Sequence, residues 1–269
     1  MEDLKWISIS SQDLDYLEIT LNRPQVHNAF NSEMIAEITQ VFKAIKEQAL
    51  VKFVILKAEG KSFSAGADLE WMKKMKEASL EDNRADALKL ALMFETINEC
   101  PIPVIALVEG NAFGGGVGLL AVCDYVLCLS SVQFCFSEVK LGLAPAVISP
   151  FVYKKIQHSF ARAFFITGKN FSAMDALKMG LVHEVVEGLE WEEKIRDLKS
   201  LLKSLAPNAQ RATKKLIFDL ESMLLSNDNE ESKNNNIKNY TTSLIADLRK
   251  SDEGQVGMTA LLEKRKPQF

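Results

Sequence analysis

Two short apolar runs, VKFVILKAEG (51–60) and PIPVIALVEG (101–110), limit what this chain can fold into. Each reads as a buried strand that closes in a glycine-containing turn. A stretch such as VIALV is far too short to span a bilayer. Between the strands the period changes. NSEMIAEITQVFKAIKEQ carries apolar residues at 34, 35, 38, 41, 42 and 45, which is a helix with Asn31 or Ser32 as N-cap. Upstream, WISISSQDLDYLEITLNR reads as two β segments around a turn at Ser11–Asp13. This β-β-α-β unit recurs as PIPVIALVEG, the helix start GGGVGLLAVC, and two strand segments in DYVLCLSSVQFCF. Strands alternating with helices predict an α/β architecture with a largely internal core.

From about residue 190 the pattern turns helical. LEWEEKIRDLKSLLKSLAPNAQRATKKLIFDLESML is broken only at Pro207, which suits a first helical turn. The polar SNDNEESKNNN then interrupts it. Beyond it, Ile237, Tyr240, Leu244, Ile245 and Leu248 share one helical face, and EGQVGMTALLEK reads as a last helix. The expected organisation is an α/β core over 1–195 and a helical region over 196–269, serving oligomerisation or as a lid.

At 269 residues and 47 % hydrophobic, the chain can bury a sizeable core. Its net charge of −4 makes no electrostatic case for nucleic acid or an anionic membrane. The start MEDLKWISIS lacks the charged-then-apolar form of a signal peptide, so a cytoplasmic protein is expected. Cys100, Cys123, Cys128 and Cys135 have no paired C-x-x-C spacing and read as buried free thiols. His27, His158 and His183 are scattered, and no zinc site is expected.

Three segments carry chemistry. KSFSAGADLE (61–70) places the small residues Ser64 to Ala67 between a strand and a helix. Small side chains let a ligand approach the backbone, and a helix start offers unpaired N–H groups. The GKS at 60–62 is no phosphate loop, because Ile55 stands where that motif needs glycine. FGGGVG (113–118) makes a second such junction, without the spacing of a dinucleotide fingerprint. Taken singly, each is also an ordinary tight turn. Taken together, they offer two N–H groups that could converge on one oxygen, as an oxyanion hole requires. In QFCFSEVKLGLAP (133–145), Glu138 follows a strand among small and apolar residues, either a surface glutamate or a partly desolvated proton carrier.

Read in order, LEITLNRPQVHNAF, KSFSAGADL, IPVIALVEGNAFGGGVGLLAVCDYVL, FSEVKLGL, AMDALKMGLVHEVV and LLEKRKPQF resemble the crotonase, or enoyl-CoA hydratase/isomerase, superfamily over nearly the whole chain. The resemblance implies a spiral of ββα units with a C-terminal helical region, assembled as trimers or as hexamers of two trimers. It implies an acyl-CoA thioester ligand and no separate cofactor, coenzyme A being part of the substrate. The N–H groups of Ala67 and Gly115 would hold the thioester oxygen as it becomes an enolate. The coenzyme would cross RPQVHNAF and SAGADL, so that Arg23, Val26, Ala65, Asp68 and Leu69 join these two as contacts. Arg23 and Lys266, from this or a neighbouring subunit, would meet its phosphates.

One departure stands out. Many hydratases of the family carry two catalytic glutamates, and the resemblance puts them at Gly118 and Glu138. Here the first is a glycine. The leading expectation is reversible hydration of a 2-enoyl-CoA with Glu138 as proton donor or acceptor. FGGGVGLLAVCD followed by FSEVKLGLAPAVISPFV resembles bacterial methylglutaconyl-CoA hydratases of leucine breakdown, which suggests a branched or carboxylated acyl group. A Δ3–Δ2 enoyl-CoA isomerase using Glu138 as a shuttle is the alternative. A non-catalytic acyl-CoA-binding or RNA-binding relative is the third, opposed by the charge and by Glu138 itself.

Overall fold

The apolar run at 104–108 forms a strand in which all five residues are buried, and Phe53–Leu56 are buried likewise. Strands covered on both faces read as continuous apolar runs rather than as alternation. They belong to a six-stranded sheet in the order β1 (Ile7–Asp13), β2 (Tyr16–Leu21), β3 (Phe53–Ala58), β5 (Val104–Val108), β7 (Tyr125–Leu129) and β10 (Glu184–Val186). The first pair is antiparallel and the rest are parallel. A smaller sheet has the order β4 (Ser62–Ser64), β6 (Asn111–Phe113), β8 (Gln133–Cys135) and β9 (Phe171–Ser172), parallel except for its last pair. The computed structural model that shows this describes residues 4–13, 15–48 and 50–269.

Each ββ pair divides itself between the two sheets. β3, β5 and β7 enter the large one, and β4, β6 and β8, which follow them directly, enter the small one. The described helices are α1 (Ser32–Ile45), α2 (Leu69–Glu77), α3 (Leu80–Asn98), α4 (Gly115–Ala121), α5 (Ser149–Lys155), α6 (His158–Thr167), α7 (Ala173–Met179), α8 (Trp191–Lys203), α9 (Pro207–Leu225), α10 (Glu230–Lys250) and α11 (Asp252–Leu262). Repeated ββα units make the α/β spiral that the sequence suggests.

Helix α1 begins at Asn31, whose side chain accepts the Met34 N–H at 2.9 Å, and it buries Met34, Ile35, Ile38, Val41, Phe42 and Ile45. The four cysteines are free and buried. Burial pushes the Cys128 thiol up to about 12, so it packs as an inert hydrophobe. No described helix is long and apolar enough to cross a membrane.

Three details differ from expectation. Ser11–Asp13 belong to β1, where the pairing is bulged between Ser10 and Asp13, so the hairpin reverses later, before Tyr16. The Asn-rich patch breaks the helices only at its start. Asn229 caps α10 by accepting the Ser232 N–H at 2.8 Å, and the rest of the patch is helical. Helix α3 was not anticipated, because only its last turns are buried (Met93, Phe94, Thr96 and Ile97) and its period is weak.

By contacts the chain divides into two compact units, Met1–Cys100 with Val104–Ile195, and Pro101–Pro103 with Arg196–Phe269. In the second unit, α10 packs on α9 and α11. The Glu253 carboxylate of α11 accepts the N–H groups of Asn208 at 3.0 Å and Ala209 at 3.1 Å, satisfying donors that the N-terminus of α9 leaves free.

Candidate active site

Parallel strands end at the same edge of their sheet, so β4, β6 and β8 deliver their following loops to one place. From β4 comes Ala65-Gly66-Ala67-Asp68, from β6 Gly114 and the start of α4, and from β8 Phe136-Ser137-Glu138. Packing between the first two is backbone on backbone. A Cβ at Gly116 would lie 2.7 Å from the Ser64 carbonyl oxygen. Gly66 (φ +86) and Gly114 (φ +49) adopt the left-handed backbone that other residues avoid. A Cβ at Gly66 would also stand 2.9 Å from the Phe113 oxygen and 3.5 Å from the Gly115 nitrogen. The run of glycines thus lets two turns touch.

The orientation of Ala67 follows from a single bridge. The Phe30 N–H donates to the Gly66 carbonyl at 2.6 Å, and the Asp68 N–H donates to the Phe30 carbonyl at 2.9 Å. In extended chain alternate amides face opposite sides, so the N–H of Ala67 turns away from Phe30. Gly115 is the first residue of α4, where the N–H has no acceptor within the helix. Neither N–H has a partner among the described residues. Both residues line a cavity of about 410 Å³ together with Ala65, Leu69 and Glu138.

The bridge is itself held from behind. Asn28 is fully buried with φ +52, donates to the Glu59 and Ser62 carbonyls at 2.8 Å each, and accepts the Arg23 N–H at 2.8 Å. Arg23 donates to the Ala29 carbonyl at 2.5 Å and pairs with Asp68 at 2.9 Å, both side chains being more than nine-tenths buried. Asp68 caps α2 through the Glu70 and Trp71 N–H groups. Burial raises the Asp68 carboxyl, but the Trp71 N–H, the Arg23 hydrogen bond, the Glu70 N–H and the Arg23 charge together bring it below the ordinary carboxylate value.

Arg23 is more constrained than its sequence context suggests. Its charge is paired inside the protein with Asp68, and it braces the Ala67 turn. With Val26 and Asp68 it lines a second cavity of about 530 Å³, which also includes Lys5, Trp6 and Lys74. Trp71 borders both cavities. Lys266 is exposed in the second unit.

Glu138 opens a short 3-10 turn directly after β8 and is half-buried. One carboxyl oxygen, Oε1, lies 3.3 Å from where a Cβ on Gly114 would stand. The other, Oε2, is buried with no hydrogen-bond partner. Burial raises its pKa above the ordinary 4.5, opposed by its own backbone N–H. An acid so placed holds its proton more tightly than an exposed glutamate does, which suits it to proton transfer. With two unpaired N–H groups on the same cavity, the arrangement can stabilise a developing oxyanion and move a proton beside it.

Sequence reasoning missed Phe30, Trp71, Asp86, Ser137 and Ile148, which line the same cavity. Trp71 donates to Asp86 at 3.1 Å, tying α2 to α3. Only the adjacency of Ser137 to Glu138 could have flagged any of them. Gly118 is fully enclosed. A Cβ there would fall 2.3 Å from Ile148 Cγ2 and 3.1 Å from Phe94 Cζ.

The family model for enoyl-CoA hydratase/isomerase matches residues 15–269. The chain belongs to the enoyl-CoA hydratase/isomerase family. Members of this family act on acyl-CoA thioesters. The chain superposes on a crystal structure of an enoyl-CoA hydratase from Shewanella pealeana with a TM-score of 0.89 and 36 % identity, covering 100 % of this chain and 97 % of the other. A putative enoyl-CoA hydratase of Thermus thermophilus is 29 % identical over 93 % of this chain and 96 % of its own length. The mitochondrial Delta(3,5)-Delta(2,4)-dienoyl-CoA isomerase of Dictyostelium discoideum is 27 % identical over 99 % and 92 %. Hydratases and isomerases are both among its relatives.

Within this family member, Gly118 and Ile148 share one space. Alanine in a helix ordinarily improves on glycine by about 1 kcal/mol. Gly118→Ala is nevertheless expected to lower stability, because overpacking costs about 1–3 kcal/mol. Combined with Ile148→Ala, the loss should be smaller than the sum of the two single losses, as read from denaturant midpoints. Strict additivity would show that the two side chains do not compete.

Proposed function

We propose that the protein catalyses reversible hydration of a 2-enoyl-CoA with a single carboxyl group, Glu138, moving the proton. The observation that carries this reading is the desolvated Glu138 carboxyl, its Oε2 without a partner, on the cavity that Ala67 and Gly115 line with their unpaired N–H groups. The thioester oxygen sits between those two N–H groups. Water adds through oxygen to C3, the C2–C3 electron pair moves into the thioester enolate, and Glu138 accepts one water proton. The same carboxyl then returns that proton to C2. Helix α4 has only seven residues, so its dipole adds little to the two direct hydrogen bonds.

The acyl portion occupies the cavity against its apolar lining, which includes Met72, Leu90, Leu143 and Val147. A branched short-chain enoyl-CoA fits this lining, and methylglutaconyl-CoA is the carboxylated candidate that the sequence resemblance supplies. The coenzyme follows Val26 and Asp68 on the second cavity, and the exposed Lys266, from this or a neighbouring subunit, is the candidate phosphate contact. No further cofactor is required, because the activating group is the thioester itself.

A second reading rests on the wall at Gly118. With Ile148 filling the place of a second carboxylate, Glu138 could instead take a proton from C2 of a 3-enoyl-CoA and deliver it to C4. Absorbance of the conjugated thioester separates the two. Hydration bleaches crotonyl-CoA, whereas isomerisation creates absorbance from 3-hexenoyl-CoA. Turnover of 3-hexenoyl-CoA alone would replace the first reading by the second.

In either case Glu138→Gln keeps the shape and loses the proton. Turnover is expected to fall about 10²–10⁴-fold with acyl-CoA binding retained. In the intact protein, the acid limb of kcat/KM should have its midpoint above pH 4.5, since Glu138 must be ionised to accept the water proton and its pKa is raised. Activity of the glutamine variant within a few-fold of the parent would remove Glu138 from the chemistry.

The protein acts as a trimer or a hexamer of two trimers. Helix α10 contains no fully buried residue over its 21 positions. Ile217 and Ile245 are exposed, and Leu216, Leu220, Ile237, Tyr240, Leu244 and Leu248 are half-buried. Apolar surface of this kind is normally covered by another chain. Light scattering is expected to give three or six times the 30.0 kDa chain mass. A stable, active 30.0 kDa species would exclude assembly as a requirement.

A further inference from the structure

Hydration needs an oxygen held against C3 while Glu138 takes its proton. In a two-glutamate site the second carboxylate could do this, but here Gly118 provides no polar atom. Ile148 Cγ2 and Cβ would stand 2.3 and 2.9 Å from a Cβ at that position, and Phe94 closes the other side. Water cannot be held there, because a lodged water needs two or more polar partners.

Among the described residues lining the cavity, only Trp71, Asp86, Ser137 and Glu138 carry polar side-chain groups. The Trp71 N–H is committed to Asp86 at 3.1 Å. Ser137 differs from both. Its hydroxyl has no hydrogen-bond partner among the described residues, it lines the cavity, and it immediately precedes Glu138. Ser137 Oγ and Glu138 Oε1 lie 3.4 and 3.3 Å from one point, the position a Cβ on Gly114 would take. Gly114 leaves that point empty of side chain. A hydroxyl without a partner and a carboxyl with one partnerless oxygen therefore stand together against Gly114 in the wall of the site.

We propose that the Ser137 hydroxyl holds the attacking water against Glu138, taking the place of the absent second carboxylate. This rests on the hydration reading above. The serine hydroxyl can accept from and donate to a water, whereas the carboxylate only accepts. The water oxygen bonds to C3, one of its protons passes to Glu138 and on to C2, and the other stays on the product hydroxyl. Ser137 neither gains nor loses a proton, so it orients the water without itself being a base.

The test compares two reactions that share Glu138 and the thioester oxygen site but differ in their need for a bound water. One is hydration of crotonyl-CoA, and the other is exchange of the C2 protons of butyryl-CoA in deuterated solvent. Ser137→Ala is expected to lower kcat for hydration about tenfold or more, corresponding to loss of one hydrogen bond to a reacting group, with KM little changed. Exchange should stay within about twofold, because no water adds to carbon, and Ser137→Thr, which keeps a hydroxyl, should recover hydration. Equal loss of both reactions in the alanine variant would make Ser137 structural and overturn the proposal. Undiminished hydration would overturn it too, and a selective loss in Asp86→Asn would then move the water to Asp86. A parent protein that exchanges butyryl-CoA protons but does not hydrate crotonyl-CoA would defeat the hydration reading, and this proposal with it.

Discussion

The parallel register of β4, β6 and β8 is the constraint on which the rest of the site depends. Ser62 pairs with Asn111, and Ala112 and Phe113 pair with Phe134 and Cys135, so three strands remote in sequence finish together. Antiparallel neighbours would have sent alternate loops to opposite edges. The large sheet makes this possible, because β3, β5 and β7 run parallel and each hands its chain on to the small sheet by a short turn. One geometric rule, applied three times, gathers Ala67, Gly115 and Glu138.

The chemistry of the cavity is set by what is left unpaired, and the pairing behind it sets that. Phe30 uses both of its backbone groups on Gly66 and Asp68, which leaves the Ala67 N–H facing the other way. Arg23 and Asp68 form a buried pair that is further hydrogen-bonded to the Ala29 carbonyl and to the start of α2. Removing one partner of such a pair leaves an uncompensated buried charge, typically about 3–5 kcal/mol. Asn28 adds three hydrogen bonds to the same brace. A buried, hydrogen-bonded network of this kind is stiff, even with Arg23 Nε left unpartnered, and a stiff frame is what a preorganised pair of N–H donors needs.

Glu138 shows the opposite design. Its Oε2 has no partner and its environment raises its pKa, which costs stability when the group is charged but brings its proton affinity towards the working range. The neighbouring wall is apolar where Ile148 packs over Gly118, whereas Ser137 and Glu138 stand together beside Gly114.

Much of this was legible in the residues alone. The period of NSEMIAEITQVFKAIKEQ marks the six buried positions of α1, and the apolar runs mark β3 and β5, because burial leaves its signature directly in the choice of side chain. The two small-residue junctions and Glu138 could be singled out for the same reason, since backbone contact demands glycine or alanine. What stayed hidden was every consequence of side chains meeting across long separations. Arg23 reads as a free cation until Asp68, 45 residues away, is found to neutralise it. Gly118 reads as a missing carboxylate until Ile148 is found in its space. Ser137 carries no signal of its own until its hydroxyl is found beside the Glu138 carboxyl, against Gly114. Local periodicity and backbone demand are written in neighbouring residues, so the sequence determined the elements and the small-residue turns. Which polar groups are paired and which are left over depends on contacts between remote segments, and only the tertiary structure decided that.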